Sequence, residues 1–425
     1  MNRNHQKRNL NLTQWNRTTS ITRILLTTCL SSFSAMGSDL PKDLTLDQAL
    51  ALAEQNHPNL KHAIARIEEA EGRTEQAAAF PNPELLTRME SAPFRGATGG
   101  EAEYLAGFSQ AIPLGSRLSK SRIVGEKKQL SMEKSRAVTL QEVQTGVRVA
   151  FVKTLFQNRN IQVHTRIFDS ATRGYQIIQK RFDAGDASQE ELSRSKLEML
   201  RNQQHLQGSK TDLNKAFLDL AAAIGDSRQN ISSVSGTLET TLQVPELKTI
   251  FNNLSHHPIL EQSTADIETA ESQVDLAIAE RKPDVNIEFL YRRIENVSVD
   301  AFDIGVRIPI PFFNQNQGQI KAAEANLKAS KAATENLLNQ LVRNAGILHL
   351  ELEAALENTR RLSEDTLPQA NTMLALAEAR YSLGDANLTE ILPIRREWAE
   401  GQLTYLEALH QAISAWSRLL PYLTD

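Results

Sequence analysis

The sequence predicts a mainly α-helical chain with a small β component of transmembrane dimensions, built as two tandem copies of one unit. Three observations carry that fold class. The first is a repeat at an offset of about two hundred residues: His57-Pro58-x-Leu60 recurs as His257-Pro258-x-Leu260, and Ala65-x-Ile67-Glu68-x-Ala70-Glu71 recurs as Ala265-x-Ile267-Glu268-x-Ala270-Glu271. Eleven of the twenty-nine positions from 57 to 85 are identical at that offset, enough to mark a whole repeated unit. Two copies argue for a pseudo-symmetric assembly over an enzyme with one unique site. The echo continues with Gly107 to Ile112-Pro113 against Gly305 to Ile310-Pro311, then Phe182-x-x-Gly185-Asp186-Ala187 against Tyr381-x-x-Gly384-Asp385-Ala386.

The second observation is the proline map. No proline falls between Pro113 and Pro245, or between Pro311 and Pro368. An interior proline removes a helical hydrogen bond and clashes with the preceding turn, so such gaps suit very long helices. Ala, Leu, Glu, Gln and Arg fill them, a composition of long packed helices. The third is alternation. Val285, Ile287, Phe289 and Tyr291 alternate with Asn286, Glu288, Leu290 and Arg292; Phe302, Ile304, Val306, Ile308 and Ile310 alternate with Asp303, Gly305, Arg307 and Pro309. Strands of about ten residues with one apolar and one charged face have the length and dyad pattern of a transmembrane strand beside a wet lumen. Under that reading Glu288, Arg292, Asp303 and Arg307 face the lumen. A half-buried strand in a soluble sheet shows the same alternation, so the pattern alone leaves both readings open. Four strands are too few to close a barrel, and an open edge is not tolerated in lipid, so a membrane sheet needs partners from other subunits.

The elements follow in order. Residues 1–37 carry Arg3, Lys7, Arg8, Arg17 and Arg23 without an acid, then an apolar stretch at 24–30 and small residues up to Ala35-Met36-Gly37. This reads as a secretory signal. Its removal moves the net charge from −4 to about −9, which disfavours nucleic-acid binding. Cys29, the chain's single cysteine, lies in this leader, and two readings stand: a lipidation site, or a residue discarded with the signal. No apolar run reaches the roughly eighteen residues of a membrane helix.

The first unit spans 38–225. It reads as a helix over 44–79 interrupted at His57-Pro58, strands at about 83–91 and 102–112, a helix over 117–182, and a returning helix from 189 to about 224. At 1.5 Å per residue the long helix is roughly 100 Å, with an apolar stripe at Val143, Val147, Ala150-Phe151 and Leu155. A Ser/Thr-rich linker follows at 226–245. The second unit, 246–425, repeats the scheme: helix over 246–281, strands at about 284–294 and 300–310, and a long helix over 316–381 with its stripe at Leu341, Ala345, Leu348, Leu352 and Leu356. Pro368 should kink or briefly interrupt that helix, and Pro393 should bend the one that returns.

Between the helices lie two tight turns. Gly185 and Gly384 permit the left-handed backbone that ends a helix. Ser188-x-x-Glu191 and Asn387-x-x-Glu390 have capping-box form. His57 and His257 precede prolines at helix interruptions, which favours structural or capping roles over metal contact. No nucleophile–base pair, phosphate loop or paired catalytic carboxylates occur in a defined context, so no enzyme, cofactor or metal site is expected.

The chain resembles the TolC-like outer-membrane efflux factors over essentially residues 40–425. The resemblance rests on Leu44-Thr45-Leu46-Asp47-x-Ala49-Leu50, Phe80-Pro81-Asn82-Pro83-Glu84-Leu85, Ser109-Gln110-Ala111-Ile112-Pro113-Leu114-Gly115, Ile308-Pro309-Ile310-Pro311-Phe312-Phe313-Asn314-x-Asn316-Gln317-Gly318 and Tyr381-x-x-Gly384. The Asn-Pro-Glu-Leu and Phe-Phe-Asn-x-Asn-Gln-Gly versions are most similar to the branch serving heavy-metal pumps of the resistance-nodulation-division class. The resemblance implies a homotrimer in outer-membrane lipid, with most of the chain in the periplasm. Each protomer would give four strands to a twelve-stranded barrel continuous with a twelve-helix periplasmic tube. It further implies a passive exit duct fed by an inner-membrane pump through a periplasmic adaptor, with no nucleic acid among the partners. Ducts for multidrug efflux or type I secretion, and a periplasmic coiled-coil scaffold without a pore, are the alternative readings.

The resemblance also places the two turns at the periplasmic mouth, where adaptors dock. The residues concerned are Phe182, Gly185, Asp186 and Glu191, with Tyr381, Gly384, Asp385 and Glu390. For the two glutamates, helix capping competes with a role at the mouth. Asp183, Asp186 and Asp385 are either solvated turn residues or, under three-fold symmetry, rings of charge at an aperture. Some family members carry an arginine where this chain has Ala386, so a latch here must be built differently. Tyr104, Phe108, Phe289, Tyr291 and Phe302 read either as a membrane girdle or as core.

Overall fold

A computed structural model describes residues 43–91, 102–227, 231–238, 242–294, 297–383 and 385–423. The expected leader with Cys29, the loop at 92–101 and Gly384 lie outside the described residues. Leu44 opens the described chain by pairing with the linker: its amide donates to the Ser233 carbonyl at 3.2 Å and its carbonyl accepts from Ser235 at 2.9 Å. Helix α1 (Leu46–Asn56) starts at Thr45 in a full capping box, with the Gln48 side chain accepting from the Thr45 amide at 3.0 Å. His57 ends α1 and starts α2 (Pro58–Ala78), because proline is tolerated only in a first turn. Its Nδ1 accepts from the Asn59 amide at 3.2 Å, so the histidine is an N-cap.

Strands β1 (Glu84–Glu90) and β2 (Glu103–Ile112) follow. Helix α3 (Arg117–Asp183) then runs 67 residues without a break. Helix α4 (Gln189–Ile224) returns and ends on Gly225. The helical stretch expected over 246–281 is α5 (Leu247–Asn253), one turn of 3-10 helix and α6 (Pro258–Ala279), interrupted at His257-Pro258 as expected and in the manner of His57-Pro58. His257 again caps through Nδ1, accepting from Ile259 at 3.4 Å.

Strand β3 (Val285–Ile294) matches expectation to one residue. Strand β4 (Val299–Arg307) is shorter than the expected 300–310, and Ile308 and Ile310 lie beyond it. Pro309 and Pro311 have no amide hydrogen to give a ladder, which ends the strand. Helix α7 (Gln317–Arg361) leads into a π turn at Leu362–Thr366, and α8 (Leu367–Leu383) resumes the same course. The wide turn immediately precedes Leu367-Pro368, where the missing proline N–H would otherwise strand a carbonyl. Helix α9 (Leu388–Leu419) accommodates Pro393 inside it.

Helix order within the chain is α2, α3, α6, α7, each packed on the next. Small side chains allow the close approach: Ala63, Ala70, Ala265, Ala270 and Ala277 are all buried. Between α3 and the antiparallel α6 runs a ladder of ion pairs, Lys120–Asp275 at 2.6 Å, Lys127–Glu268 at 2.8 Å and Lys134–Glu261 at 2.9 Å. The seven-residue spacing on both helices holds all three rungs on one seam. Toward the other end, α3 packs on α4 and α9, and α9 on α7 and α8. There Ile250, Ala345, Leu352, Ala415 and Leu419 close a core with Leu348 and Leu356 half-buried against it. The α3 stripe at Val143, Val147, Phe151 and Leu155 is buried as its spacing requires.

Candidate functional site

Two regions hold the side chains singled out in the sequence, and lie at opposite ends of α3. At the first, the strands form one antiparallel sheet in chain order, with β1 and β4 at its edges. Register fixes the faces, because cross-strand partners point the same way. Leu105 pairs Arg292, Gly107 pairs Leu290 and Ser109 pairs Glu288; Arg307 pairs Asn286 and Asp303 pairs Leu290. Thus Glu288, Arg292, Asp303 and Arg307 share one face. On it Arg292 binds Glu103 and reaches Asp303 at 2.6 Å, while Arg307 lies 2.7 Å from Glu288. Gly107 has no side chain because a Cβ there would meet the Phe289 carbonyl oxygen at 1.9 Å.

The opposite face is mostly apolar and bare, with the Arg293–Asp300 pair at its end next to the β3–β4 connection. Phe302 is 82% exposed, Ile304 72% and Leu85 68%, with Tyr104, Phe108, Phe289 and Tyr291 exposed beside them. The five aromatics that two readings competed for are therefore not core within this chain. Tyr291 and Phe302 meet edge to face, centroids 5.8 Å apart. A bare apolar surface on this scale marks an interaction site, since soluble monomers seldom leave one uncovered.

At the other end, α3 closes in a Schellman motif. The Gly185 amide donates to the Phe182 carbonyl at 3.0 Å and the Asp186 amide to Arg181 at 2.7 Å, with Gly185 at φ +85°. The second turn repeats the outer bond, Asp385 donating to the Arg380 carbonyl at 2.9 Å. Ser188 and Glu191 complete a capping box, the Glu191 carboxylate accepting from the Ser188 amide at 2.9 Å. Asn387 accepts from the Glu390 amide at 3.1 Å, but the Glu390 carboxylate turns away and sits 3.5 Å from Arg380. The expected second capping box is therefore half formed, because an arginine takes its carboxylate.

Phe182 is half-buried and Tyr381 is buried, while Asp183, Asp186 and Asp385 are exposed. Asp183 accepts from Gln179 at 3.0 Å. Ile178, Ala377, Tyr381 and Ile391 form a small core that Leu192, Ala187 and Ala386 pack against, so both turns rest on one apolar cluster. Burial pushes the Tyr381 hydroxyl pKa up, opposed by Arg181. Sequence reasoning missed the arginines. Arg181 and Arg380, each one residue before the paired aromatic, donate to the carbonyls of Asp186 and Asp385 at 3.2 Å. Their matching places in the two copies were the available signal. Arg395, 3.3 Å from Glu378, lies over Gly174, where a Cβ would come within 2.5 Å of its guanidinium. That contact crosses helices and left no pattern in the chain. Among the described residues no group of three or more His, Cys, Asp or Glu side chains could hold a metal ion, and no helix is long and apolar enough to cross a membrane.

Comparison with known proteins agrees with this geometry. The family described as outer membrane efflux protein matches residues 49–226 and 250–423, the intervals on either side of the linker. The cobalt-zinc-cadmium resistance protein CzcC of Cupriavidus metallidurans is 26% identical over 374 residues, covering 88% of each chain. The crystal structure of CusC superposes with a TM-score of 0.72 at 17% identity, over 89% of this chain and 92% of that one. The outer membrane protein VceC of Vibrio cholerae gives 0.73 at 19%, over 89% and 95%. At such identities the two structures speak for the fold.

Proposed function

The chain belongs to the outer membrane efflux protein family, and from that premise we propose that it forms a homotrimeric exit duct for heavy-metal cations. It is an outer-membrane channel component of an efflux system, with a large periplasmic helical portion. The observation that carries the duct is the two-faced sheet: bare hydrocarbon on one side, paired charges on the other, and two unpaired edges. Lipid covers the first face. Water in a lumen solvates the second, where Glu288, Arg292, Asp303 and Arg307 line the wall. The edges pair with those of further copies, since hydrocarbon offers no hydrogen bonds to an open strand. Three copies give twelve strands, with the α2, α3, α6 and α7 helices continuing as a tube.

The turns at Gly185 and Gly384 form the periplasmic mouth. An adaptor docks on Phe182, Asp186, Glu191, Asp385 and Glu390, over the buried Tyr381 that holds the turns together, delivering cargo from an inner-membrane pump of the resistance-nodulation-division class. Exposed Asp183, Asp186 and Asp385 become charge rings that concentrate cations at the aperture. The duct is passive, and no catalytic turnover is assigned to it. The leader at 1–37, the units 38–225 and 246–425 and the linker 226–245 remain the domain division we favour. The metal cargo rests on the likeness to CzcC.

Two measurements test this. A deletion strain should become sensitive to zinc, cobalt or cadmium while hydrophobic-drug tolerance stays unchanged; drug sensitivity alone would keep the duct and replace its cargo. Arg307→Asp in reconstituted trimers should shift ion selectivity toward cations. Unchanged selectivity would remove Arg307 from the lumen.

A further inference from the structure

The three-rung ladder between α3 and α6 has an unfilled counterpart on the two outermost helices. On α6 the seam facing α3 is Glu261, Ala265, Glu268, Ser272 and Asp275, with Ala265 4% exposed. Two hundred residues earlier the same positions on α2 are Lys61, Ala65, Glu68, Gly72 and Glu75, and here all five are exposed. They point away from the α2 face that meets α3 through Leu60, Ala63 and Ala70.

Helix α7 carries the complementary stripe. Its half-buried side, Ala323, Leu327, Ser330 and Thr334, meets α6, as the 2.6 Å contact of Thr334 with Ser263 shows. On the opposite side Lys321, Ala325, Lys328, Ala332 and Glu335 are exposed at the heptad spacing of Lys120, Lys127 and Lys134. The side chains of those three α3 lysines are all paired, whereas none of Lys61, Glu68, Glu75, Lys321, Lys328 and Glu335 has a side-chain hydrogen bond or ion pair among the described residues.

We infer that the α7 stripe docks antiparallel on the α2 stripe of a second copy of this chain, pairing Lys321 with Glu75, Lys328 with Glu68 and Glu335 with Lys61. Ala325 and Ala332 lie against Gly72 and Ala65, which lets the backbones approach as α3 and α6 do. The third rung is reversed in sign relative to its counterpart within the chain, Lys134–Glu261, and both of its members are reversed together. That reversal sets register. Sliding by one heptad puts Glu335 on Glu68 in one direction and Lys328 on Lys61 in the other, so each slipped register contains a repulsive rung. The ladder inside the chain has lysines only on one helix and acids only on the other, and would tolerate such a slip. It has no need to forbid it, because the sheet and the chain connections already hold α3 and α6 in place. Separate copies have no such tether, and the charge order supplies it.

This interface rests on the homotrimer proposed above, and the experiment separates the two. Ala65→Cys and Ala332→Cys in one chain should give, on mild oxidation in isolated outer membranes, covalent species up to trimer that neither single variant gives over the Cys29 background. Lys328→Glu and Glu68→Lys should each raise the monomer fraction in detergent about tenfold, and the double variant should return it to within about twofold of the unaltered protein. A trimer that neither crosslinks at this pair nor responds to either reversal overturns the interface and leaves the duct standing. An unaltered protein that sediments as a monomer overturns both.

Discussion

The sheet end and the turn end of this molecule satisfy their backbones in different ways. At the turn end every device is local: a Schellman closure at Gly185, a capping box from Ser188 to Glu191, an arginine on each turn carbonyl, and a core shared by Ile178, Tyr381 and Ile391. At the sheet end the strands pair with one another in the middle but leave two edges and an apolar face uncovered. The difference teaches where the protein must rely on other molecules. The turn end meets its backbone needs within the chain, whereas the sheet end leaves strand edges without a ladder partner among the described residues.

The strongest way to break this comparison is to make the two sheet faces alike. Ile304→Arg puts a charge on the bare face, at a cost of about 2–4 kcal/mol per protomer near the bilayer midplane. The outer-membrane fraction should lose most of the protein. Gly305→Arg, beside Glu288 on the other face, should leave that fraction near normal; equal losses would show that the faces do not differ.

A smaller effect tests the local character of the turn end. Gly185 sits at φ +85°, and a Cβ added there would meet no atom within 4 Å. Gly185→Val therefore costs only its backbone strain, roughly 1–2 kcal/mol. Amide exchange at Asp186 should speed by about tenfold while sheet amides are unchanged. Ser188→Ala should cost about 1 kcal/mol, read as about fivefold faster exchange at Glu191. Changes that spread to the sheet would refute the local character of this end.

The smallest effect lies between the ends, at His257. Burial lowers its pKa below 6.5, so the unfolded chain takes up the proton first as pH falls. Its contribution is fully present above pH 6.5 and is lost as pH drops through the depressed folded value. His257→Asn keeps a capping acceptor for Ile259 and removes the titration. It should therefore flatten the decline of thermal stability as pH falls below 6.5, and an unchanged decline would assign it to other groups.

Particular residues show how far the chain could be read unaided. Helix α4 begins and ends where Ser188 and Gly225 require, and α3 runs unbroken within its proline-free stretch until the turn at Gly185 ends it. Strand β4 stops short because alternation continued through Ile308 and Ile310 while Pro309 and Pro311 withheld their hydrogen bonds. Glu390 looked like Glu191 in sequence, yet Arg380 in the folded turn captured its carboxylate. Arg395 over Gly174 was invisible, since its meaning depends on a helix more than two hundred residues away.

By itself the sequence determined what depends on neighbours along the chain: helix extents from proline spacing, caps and turns from Ser188, Gly185 and His257-Pro258, and strand faces from alternation. The tertiary structure decided which seams are filled. It set Lys120, Lys127 and Lys134 against α6 and left Lys321, Lys328 and Glu335 without side-chain partners among the described residues. Periodicity marks a face as ready to pack, but only the packing of distant segments in space determines whether this chain covers it or leaves it for another.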